Sequence, residues 1–233
     1  MQTTAELKRA AGEAAVDRYV RDGMCVGLGT GSTAYYAILR VGEMVAAGAS
    51  IVAVASSLGT EELCRQAGIP LVDLLLRPIA VAIDGADEVA PDFALTKGGG
   101  GALFREKCIA LAAERFIVIV DESKLVTKLG AFPTPVEVLP FALSWVEREI
   151  ASAFPHAAIR RRGASPSFVT DNGNAILDCA FGLIDDPAEL EAELRAIHGV
   201  VDAGLFTNLT DVVLVAQPGG VRDLRRGEQP AGL

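Results

Sequence analysis

The chain has 233 residues, more than one average domain and fewer than two large ones, so a main domain with a smaller appendage is expected. A net charge of −9 argues against nucleic acid as a partner, because duplex binding is carried by lysine and arginine neutralising phosphates. Apolar residues make up 51%, yet no stretch approaches the ~18 uninterrupted apolar residues of a membrane span. The start, Met1-Gln2-Thr3-Thr4, lacks a basic and hydrophobic leader, so a soluble, cytoplasmic protein with no membrane partner is expected.

Leu7, Ala10, Ala11, Ala14 and Ala15 recur at helical spacing behind Thr3 and Thr4, and Asp22-Gly23 stops that first helix. Met24 to Leu28 reads as a buried strand, and Gly29-Thr30-Gly31-Ser32-Thr33 turns it into a helix reaching about Ala47. Next come Ile51 to Ala55 as strand, Glu61 to Ala67 as helix, Leu71 to Leu74 as a short strand and Ile79 to Ile83 as strand. Ala102 to Glu114 reads as helix and Phe116 to Val120 as a further buried strand. Alternating helices and near-continuous apolar strands predict an α/β fold, a Rossmann-like parallel sheet with helices on both faces.

The texture changes at Ala131-Phe132-Pro133-Thr134-Pro135. Beyond it, Val136 to Leu139 (strand), Ser144 to Phe154 (helix), Phe168 to Thr170 (strand), Ala175 to Cys179 (strand), Pro187 to Ile197 (helix) and Val200 to Phe206 (strand) give the order β-α-β-β-α-β. Asp171-Asn172-Gly173-Asn174 supplies a hairpin turn between the middle strands. That order is the ferredoxin-like split unit, here a smaller α+β domain over 131–206. Residues 1–130 and 207–233 are assigned to the larger domain, with Asp211 to Ala216 as a last strand of its sheet and a polar tail behind it.

The chemistry gathers between Asp84 and Glu106. Val81-Ala82-Ile83 leads straight into Asp84-Gly85-Ala86-Asp87-Glu88, which puts paired carboxylates at the carboxyl end of a buried strand, where open parallel sheets bind ligands. Lys97 is followed by Gly98, Gly99, Gly100 and Gly101, and four glycines carry an entropic cost that a close approach to the backbone would explain; a flexible hinge is the alternative, less suited to glycines set between a lysine and a helix than to a polar linker. Lys97 itself suits a phosphate or an oxyanion. Glu106 has only Ala102, Leu103, Ile109 and Ala110 at helical spacings of three and four, so a surface ion pair along the helix does not account for it. Desolvation on such a patch would raise its pKa toward what a general base needs near neutral pH, the alternative being a merely solvated glutamate, since charged residues default to the surface.

Earlier in the chain, Gly27 to Thr33 offers free backbone N–H groups between a strand and a helix, suited either to a phosphate or polyol or simply to a tight, capped turn. It lacks the third glycine and the acidic residue of a dinucleotide site, and no lysine precedes Ser32 as a Walker loop needs. Lys124, after another strand, points at the same sheet edge, while Lys8, Lys128 and the run Arg160-Arg161-Arg162 are weaker candidates, the run being most simply a solvated face. Cys25, Cys64, Cys108 and Cys179 lie far apart and read as buried reduced thiols. His156 and His198 sit beside no carboxylate or cysteine, so neither a metal nor a histidine-based triad is expected.

Taken in order, Gly29-Thr30-Gly31-Ser32-Thr33, Asp84-Gly85-Ala86-Asp87-Glu88, Lys97-Gly98-Gly99-Gly100-Gly101-Ala102 and Arg105-Glu106-Lys107 resemble the A-type ribose-5-phosphate isomerases. The resemblance continues through Asp121-Glu122-Ser123-Lys124, Pro135-Val136-Glu137-Val138, Thr170-Asp171-Asn172-Gly173-Asn174 and Gly199-Val200-Val201. One difference is Ser56-Ser57, where relatives often have Thr-Ser; a hydroxyl is kept. The resemblance implies interconversion of ribose 5-phosphate and ribulose 5-phosphate through an enediol, with no metal or cofactor, in a homodimer or homotetramer whose smaller domain lies at the oligomer interface. It further implies Glu106 as the base, Asp84 and Asp87 on the sugar hydroxyls and Lys97 on the oxyanion. Substrate-binding positions would be Thr30, Gly31, Ser32 and Thr33, then Asp84, Gly85, Ala86 and Asp87, then Lys97, Gly98, Gly99 and Gly100, with Lys124, and with Lys8 near the phosphate. A hydrolytic sugar-phosphate deaminase of related fold and a non-catalytic sugar-phosphate sensor stand as the other two classes, the full set of Asp84, Asp87, Lys97 and Glu106 speaking against the sensor.

Overall fold

The computed structural model describes residues 2–74, 76–163 and 168–226. Helix α1 (Thr4–Tyr19) begins at a capping box, in which the Thr3 hydroxyl accepts from the Glu6 N–H and the Glu6 carboxylate accepts from the Thr3 N–H. Then follow β1 (Cys25–Leu28), α2 (Ala34–Ala46), β2 (Val52–Ala55), α3 (Leu58–Gln66), β3 (Val81–Asp84), the two-residue strands β4 (Glu88–Val89) and β5 (Leu95–Thr96), α4 (Leu103–Ala112) and β6 (Phe116–Asp121). The remainder is β7 (Thr134–Val138), α5 (Leu143–Ala153), β8 (Ala158–Arg161), β9 (Ala175–Ala180), α6 (Pro187–Ala196), β10 (Val200–Ala203), β11 (Leu205–Phe206), β12 (Val212–Gln217) and β13 (Gly220–Arg225). No helix among the described residues is long and apolar enough to cross a membrane.

The chain packs as two compact units, Met1–Ala86 with Arg105–Leu125 and Leu209–Leu233, and Asp87–Phe104 with Val126–Asn208. The first holds a six-stranded sheet in the order β13-β12-β6-β3-β1-β2, parallel throughout except for the β12–β13 hairpin at one edge. Because β2 and β3 flank β1 on opposite sides, the chain reverses direction across the sheet there, which makes the carboxyl ends of β1 and β3 the switch point where open sheets take ligands. Strand residues alternate between faces. Val26, Leu28, Val81, Ile83, Ile117 and Ile119 pack with Ala11, Ala15, Ala37 and Val41 of α1 and α2. Gly27 and Ala82, of opposite parity, meet α4: a Cβ on Gly27 would stand 2.3 Å from Ile109 Cγ2. Helices therefore cover both faces, as expected.

The second unit contains a four-stranded antiparallel sheet in the order β10-β7-β9-β8, the ferredoxin-like arrangement of a β-α-β-β-α-β chain. Beside it, β4, β5 and β11 form a small sheet of their own. Segment Asp87–Phe104, assigned from the sequence to the larger domain, groups with this unit because β5 pairs with β11. The Glu88 carboxylate fastens it, accepting from the Thr96 hydroxyl at 2.8 Å and from the N–H groups of Gly130 and Phe132 at 3.0 and 2.9 Å.

Several local expectations change. Phe168 to Thr170 is not a strand; the partner of β9 is β8, whose arginines sit on an exposed edge and hide any apolar alternation. The Thr170–Asn174 stretch does turn the chain, but it is anchored to β7, where buried Glu137 accepts from the Thr170 hydroxyl and the Asn174 amide at 2.9 and 2.8 Å. Leu71 to Leu74 reduces to one bridge between Leu71 and Ala53, a stretch bracketed by Pro70 and Pro78 that cannot extend far. Part of the polar tail, Gly220–Arg225, is the edge strand β13, paired back through a turn at Gly219 and Gly220, both at positive φ. Residues 227–233 lie outside the described residues. Glu88→Ala leaves three donors without their acceptor and is expected to cost about 3 kcal/mol in urea unfolding, while Glu88→Gln, which keeps an acceptor oxygen, costs clearly less. Equal midpoints for Glu88→Ala and wild type would show that the carboxylate does not fasten the segment.

Candidate active site

At the switch point, β1 runs into Gly29 and β3 ends at Asp84. The Gly29 N–H continues the ladder to the Ile83 carbonyl at 2.9 Å, so Gly29 comes beside the Asp84 side chain with no room to spare: a Cβ there would stand 2.0 Å from Asp84 Oδ1. That oxygen accepts from the N–H groups of Thr30 and Gly85 at 3.2 and 2.7 Å. Asp84 is 3% exposed, and these backbone donors are what a carboxylate removed from water requires.

Parity decides which face Asp84 uses. It lies two residues beyond Ala82, hence on the α4 side of the sheet. Glu106 lies one helical turn before Ile109, the residue of α4 that touches Gly27, and so turns to the same side. Glu106 is 5% exposed, and together with Asp84, Gly27, Gly29, Ser56 and Ile109 it lines one small cavity. Two carboxylates expected from the sequence to act together are thus brought to one pocket.

The loop after β1 is held from below by hydroxyls. Thr30 Oγ1 lies 2.8 Å from Ser56 Oγ, 2.9 Å from Ser57 Oγ and 3.1 Å from Thr60 Oγ1, and the Thr60 hydroxyl donates to the Gly29 carbonyl at 2.9 Å. Ser57 also caps α3 through the Thr60 N–H. Sequence reading noted Ser56 and Ser57 only as a pair of hydroxyls; their role in fixing Thr30 has no local signal, since it depends on β2 lying beside β1. The Thr33 side chain makes no capping bond at the start of α2, and Lys8 Nζ of α1 reaches Ser32 Oγ at 2.9 Å. Lys124 ends a short 3-10 turn after β6, capped by the Asp121 carboxylate through the Ser123 N–H, at the same carboxyl edge. Thr30, Ser32, Lys8, Asp84 and Lys124 are therefore all contributed at one edge of the parallel sheet.

In the second unit, Asp87 and the glycine turn belong together. The Gly99 N–H donates to Asp87 Oδ2 at 2.8 Å, and a Cβ on Gly99 would lie 2.7 Å from Asp87 Oδ1. Gly98 and Gly101 have positive φ, and a Cβ on Gly101 would stand 2.3 Å from Phe168 Cζ. The close approach that four glycines implied is therefore real at three of them. Lys97 is 3% exposed, with its ammonium 5.5 Å from the Phe206 ring centroid, far from the solvated state usual for lysine. The expectation of a solvated arginine run fails for Arg162, which lies just past β8, pairs with Asp178 and donates to the Gly98 and Gly99 carbonyls. Sequence reading missed it because a run of like charges masks which member turns inward.

Cys25, Cys64 and Cys179 are buried, Cys108 partly so, and no disulfide joins them. Burial pushes the Cys64 thiol up to about 11 and the Cys179 thiol up to about 12, which keeps both protonated and inert. Among the described residues no group of three or more His, Cys, Asp and Glu is placed to hold a metal ion.

Buried carboxylates paired above a parallel sheet, with backbone and hydroxyl donors at its switch point, define a small-molecule enzyme of the α/β class. Residues 52–220 match the family model of ribose 5-phosphate isomerase A (phosphoriboisomerase A). A ribose-5-phosphate isomerase A of Bacillus mycoides is 45% identical over 219 residues, 93% of this chain and 98% of the relative. A solved ribose 5-phosphate isomerase A from Methanocaldococcus jannaschii superposes with a TM-score of 0.90 at 41% identity, covering 96% of this chain and all of its own. A D-ribose-5-phosphate isomerase solved in complex with phospho-erythronic acid gives 0.91 at 40% identity over 97% of this chain and all of its own. The chain belongs to the ribose 5-phosphate isomerase A family.

The tight approach of Gly29 to Asp84 has a direct test. Gly29→Ala must displace a buried carboxylate and is expected to lower stability by about 1–3 kcal/mol in urea unfolding. Gly59→Ala, a helical site whose Cβ would meet nothing nearer than Ser57 Oγ at 3.7 Å, is expected to leave stability unchanged or raise it. Equal stability of Gly29→Ala and wild type would overturn the packing argument.

Proposed function

We infer that this chain interconverts D-ribose 5-phosphate and D-ribulose 5-phosphate through an enediol, as a step of the non-oxidative pentose phosphate pathway, and that Glu106 is the base that moves the proton. Membership of the family supports the reaction. So does the relative bound to phospho-erythronic acid, a four-carbon sugar acid whose planar carboxylate resembles the reacting end of an enediolate. The observation that carries the assignment of the base is the cavity lined by both Glu106 and Asp84, each removed from water.

In the forward direction Glu106 takes the C2 proton from the open-chain aldose. The C–H electron pair becomes the C1–C2 double bond, and the aldehyde oxygen takes up the displaced pair and a proton. The enediol then loses the O2 proton, the C2 carbonyl forms, and the protonated Glu106 returns its proton to C1. The reaction is an internal redistribution, so its balance calls for no external oxidant or reductant. Asp84 and Asp87 serve the hydroxyl protons and ring opening, and the buried ammonium of Lys97 stabilises the developing oxyanion. Thr30 to Thr33 at the start of α2, with Lys8 and Lys124, suit the phosphate, since the N–H groups of a helix N-terminus, the helix dipole and two cations all favour an anion. Gly85, Ala86, Gly98 and Gly100 complete the binding segments with backbone groups.

Glu106→Gln keeps size but cannot accept a proton. Its kcat is expected to fall at least ~100-fold with KM and melting temperature near wild type, and solvent exchange of the substrate C2 hydrogen should collapse in parallel. Glu114→Gln, an exposed glutamate just past α4, should change little. Near-normal turnover and exchange in Glu106→Gln would move the search to Asp84 or Asp87. A homodimer or homotetramer formed through the smaller unit is the further expectation, supported by Leu139, Phe141 and Trp145, all exposed on that unit. Phe141→Asp should weaken assembly in sedimentation, and a wild-type protein that is only monomeric at micromolar concentration would contradict it.

A further inference from the structure

Arg160 and Arg162 both contact Asp178, yet they differ in surroundings. The Arg160 side chain is 76% exposed, the Arg162 side chain 14% and that of Asp178 7%. Arg162 Nε lies 3.2 Å from each Asp178 oxygen and Nη2 pairs with Oδ1, so the carboxylate is gripped by a fork. The remaining nitrogen, Nη1, donates to the Gly98 carbonyl at 2.8 Å and the Gly99 carbonyl at 3.3 Å. The Phe168 ring packs against the guanidinium, its centroid 5.6 Å away.

The Gly98 carbonyl and the Gly99 N–H are the two ends of one peptide group, and in a trans peptide they point in opposite directions. Arg162 holds one end and Asp87 Oδ2 accepts from the other at 2.8 Å. A run of four glycines gives this peptide little conformational preference of its own. Turned over, it would present its carbonyl to the Asp87 carboxylate. A cation on the carbonyl also polarises the amide and strengthens the N–H bond to the carboxylate.

We propose that Arg162, steadied by Asp178, is a positioning residue for the isomerase reaction, fixing the Gly98–Gly99 peptide and through it the Asp87 carboxylate. The proposal rests on the reading of Asp87 as a catalytic group. Lysine would restore charge but not the planar fork that reaches Asp178 and the carbonyls together. An ion pair that merely ties the glycine turn to the sheet would show in stability, independently of Asp87.

The test is a double-mutant cycle with ribose 5-phosphate, reading kcat, KM and melting temperature for Arg162→Met, Arg162→Lys, Asp87→Asn and the Arg162→Met/Asp87→Asn pair. Arg162→Met is expected to lower kcat about 10- to 100-fold while KM changes by less than about 3-fold, and Arg162→Lys to recover only a small part. With Asp87→Asn already present, removing Arg162 should cost less than about 3-fold more. Arg160→Met, which removes the other partner of Asp178, should match wild type. Turnover of Arg162→Met within about 3-fold of wild type, or a double mutant whose loss is the product of the two single losses, overturns the proposal. Near-wild-type turnover of Asp87→Asn overturns the catalytic reading of Asp87 itself, and this proposal with it. If Arg162→Met fails to fold, the cycle is run with Arg162→Lys under the same criteria.

Discussion

The contact between Gly29 and Asp84 is the constraint on which the first unit depends. Parallel pairing of β1 with β3, in register at Leu28 and Ile83, carries the ladder one residue past the strand to Gly29 and sets the backbone against a carboxylate. A side chain at Gly29 would overlap Asp84, whose buried carboxylate accepts from the Thr30 and Gly85 N–H groups that replace part of its lost hydration. One shared oxygen thus fixes the end of β3 and the turn that leads into α2. The parity of β3 then aims Asp84 at the α4 face, where Glu106 lines the same cavity.

A similar economy holds Thr30. Four hydroxyls, from Thr30, Ser56, Ser57 and Thr60, bond to one another and to the Gly29 carbonyl, so the loop after β1 and the start of α3 are fixed by one network. Each hydroxyl can donate once and accept twice, which lets a small cluster satisfy itself without water or charge. The helix cap of α3 and the shape of the binding loop are consequences of the same bonds. In the second unit the corresponding constraint is electrostatic: Glu88 ties its segment to the N–H groups of Gly130 and Phe132, and Arg162 ties the glycine turn to Asp178.

Much of this was readable along the chain because it is written in local pattern. The helical spacing behind Thr3, the apolar runs of β1, β3 and β6, the strand-to-glycine turn at Gly29 and the β-α-β-β-α-β order beyond Pro135 all depend on near neighbours, and local propensity reports them. Glu106 stood out because its helical neighbours are small and apolar, Asp84 because it closes a buried strand. Elements that fail this treatment are those whose stability comes from elsewhere. Strand β8 is an edge strand with arginines in it and three of its four residues exposed, β13 is a polar edge strand recruited by β12, and β4 and β5 are two residues each, β4 paired with β5 and β5 with β11.

By itself, the sequence determined the class of fold, the family, and the identities of Asp84, Asp87, Lys97 and Glu106 as the residues with chemistry to explain, since side-chain type and periodicity are properties of the chain. Tertiary structure alone decided which of three adjacent arginines turns inward, which hydroxyls surround Thr30, and that Asp84 and Glu106 face one cavity. Those outcomes follow from which strand lies beside which and from the parity of each residue within it, and neither is set by near neighbours along the chain.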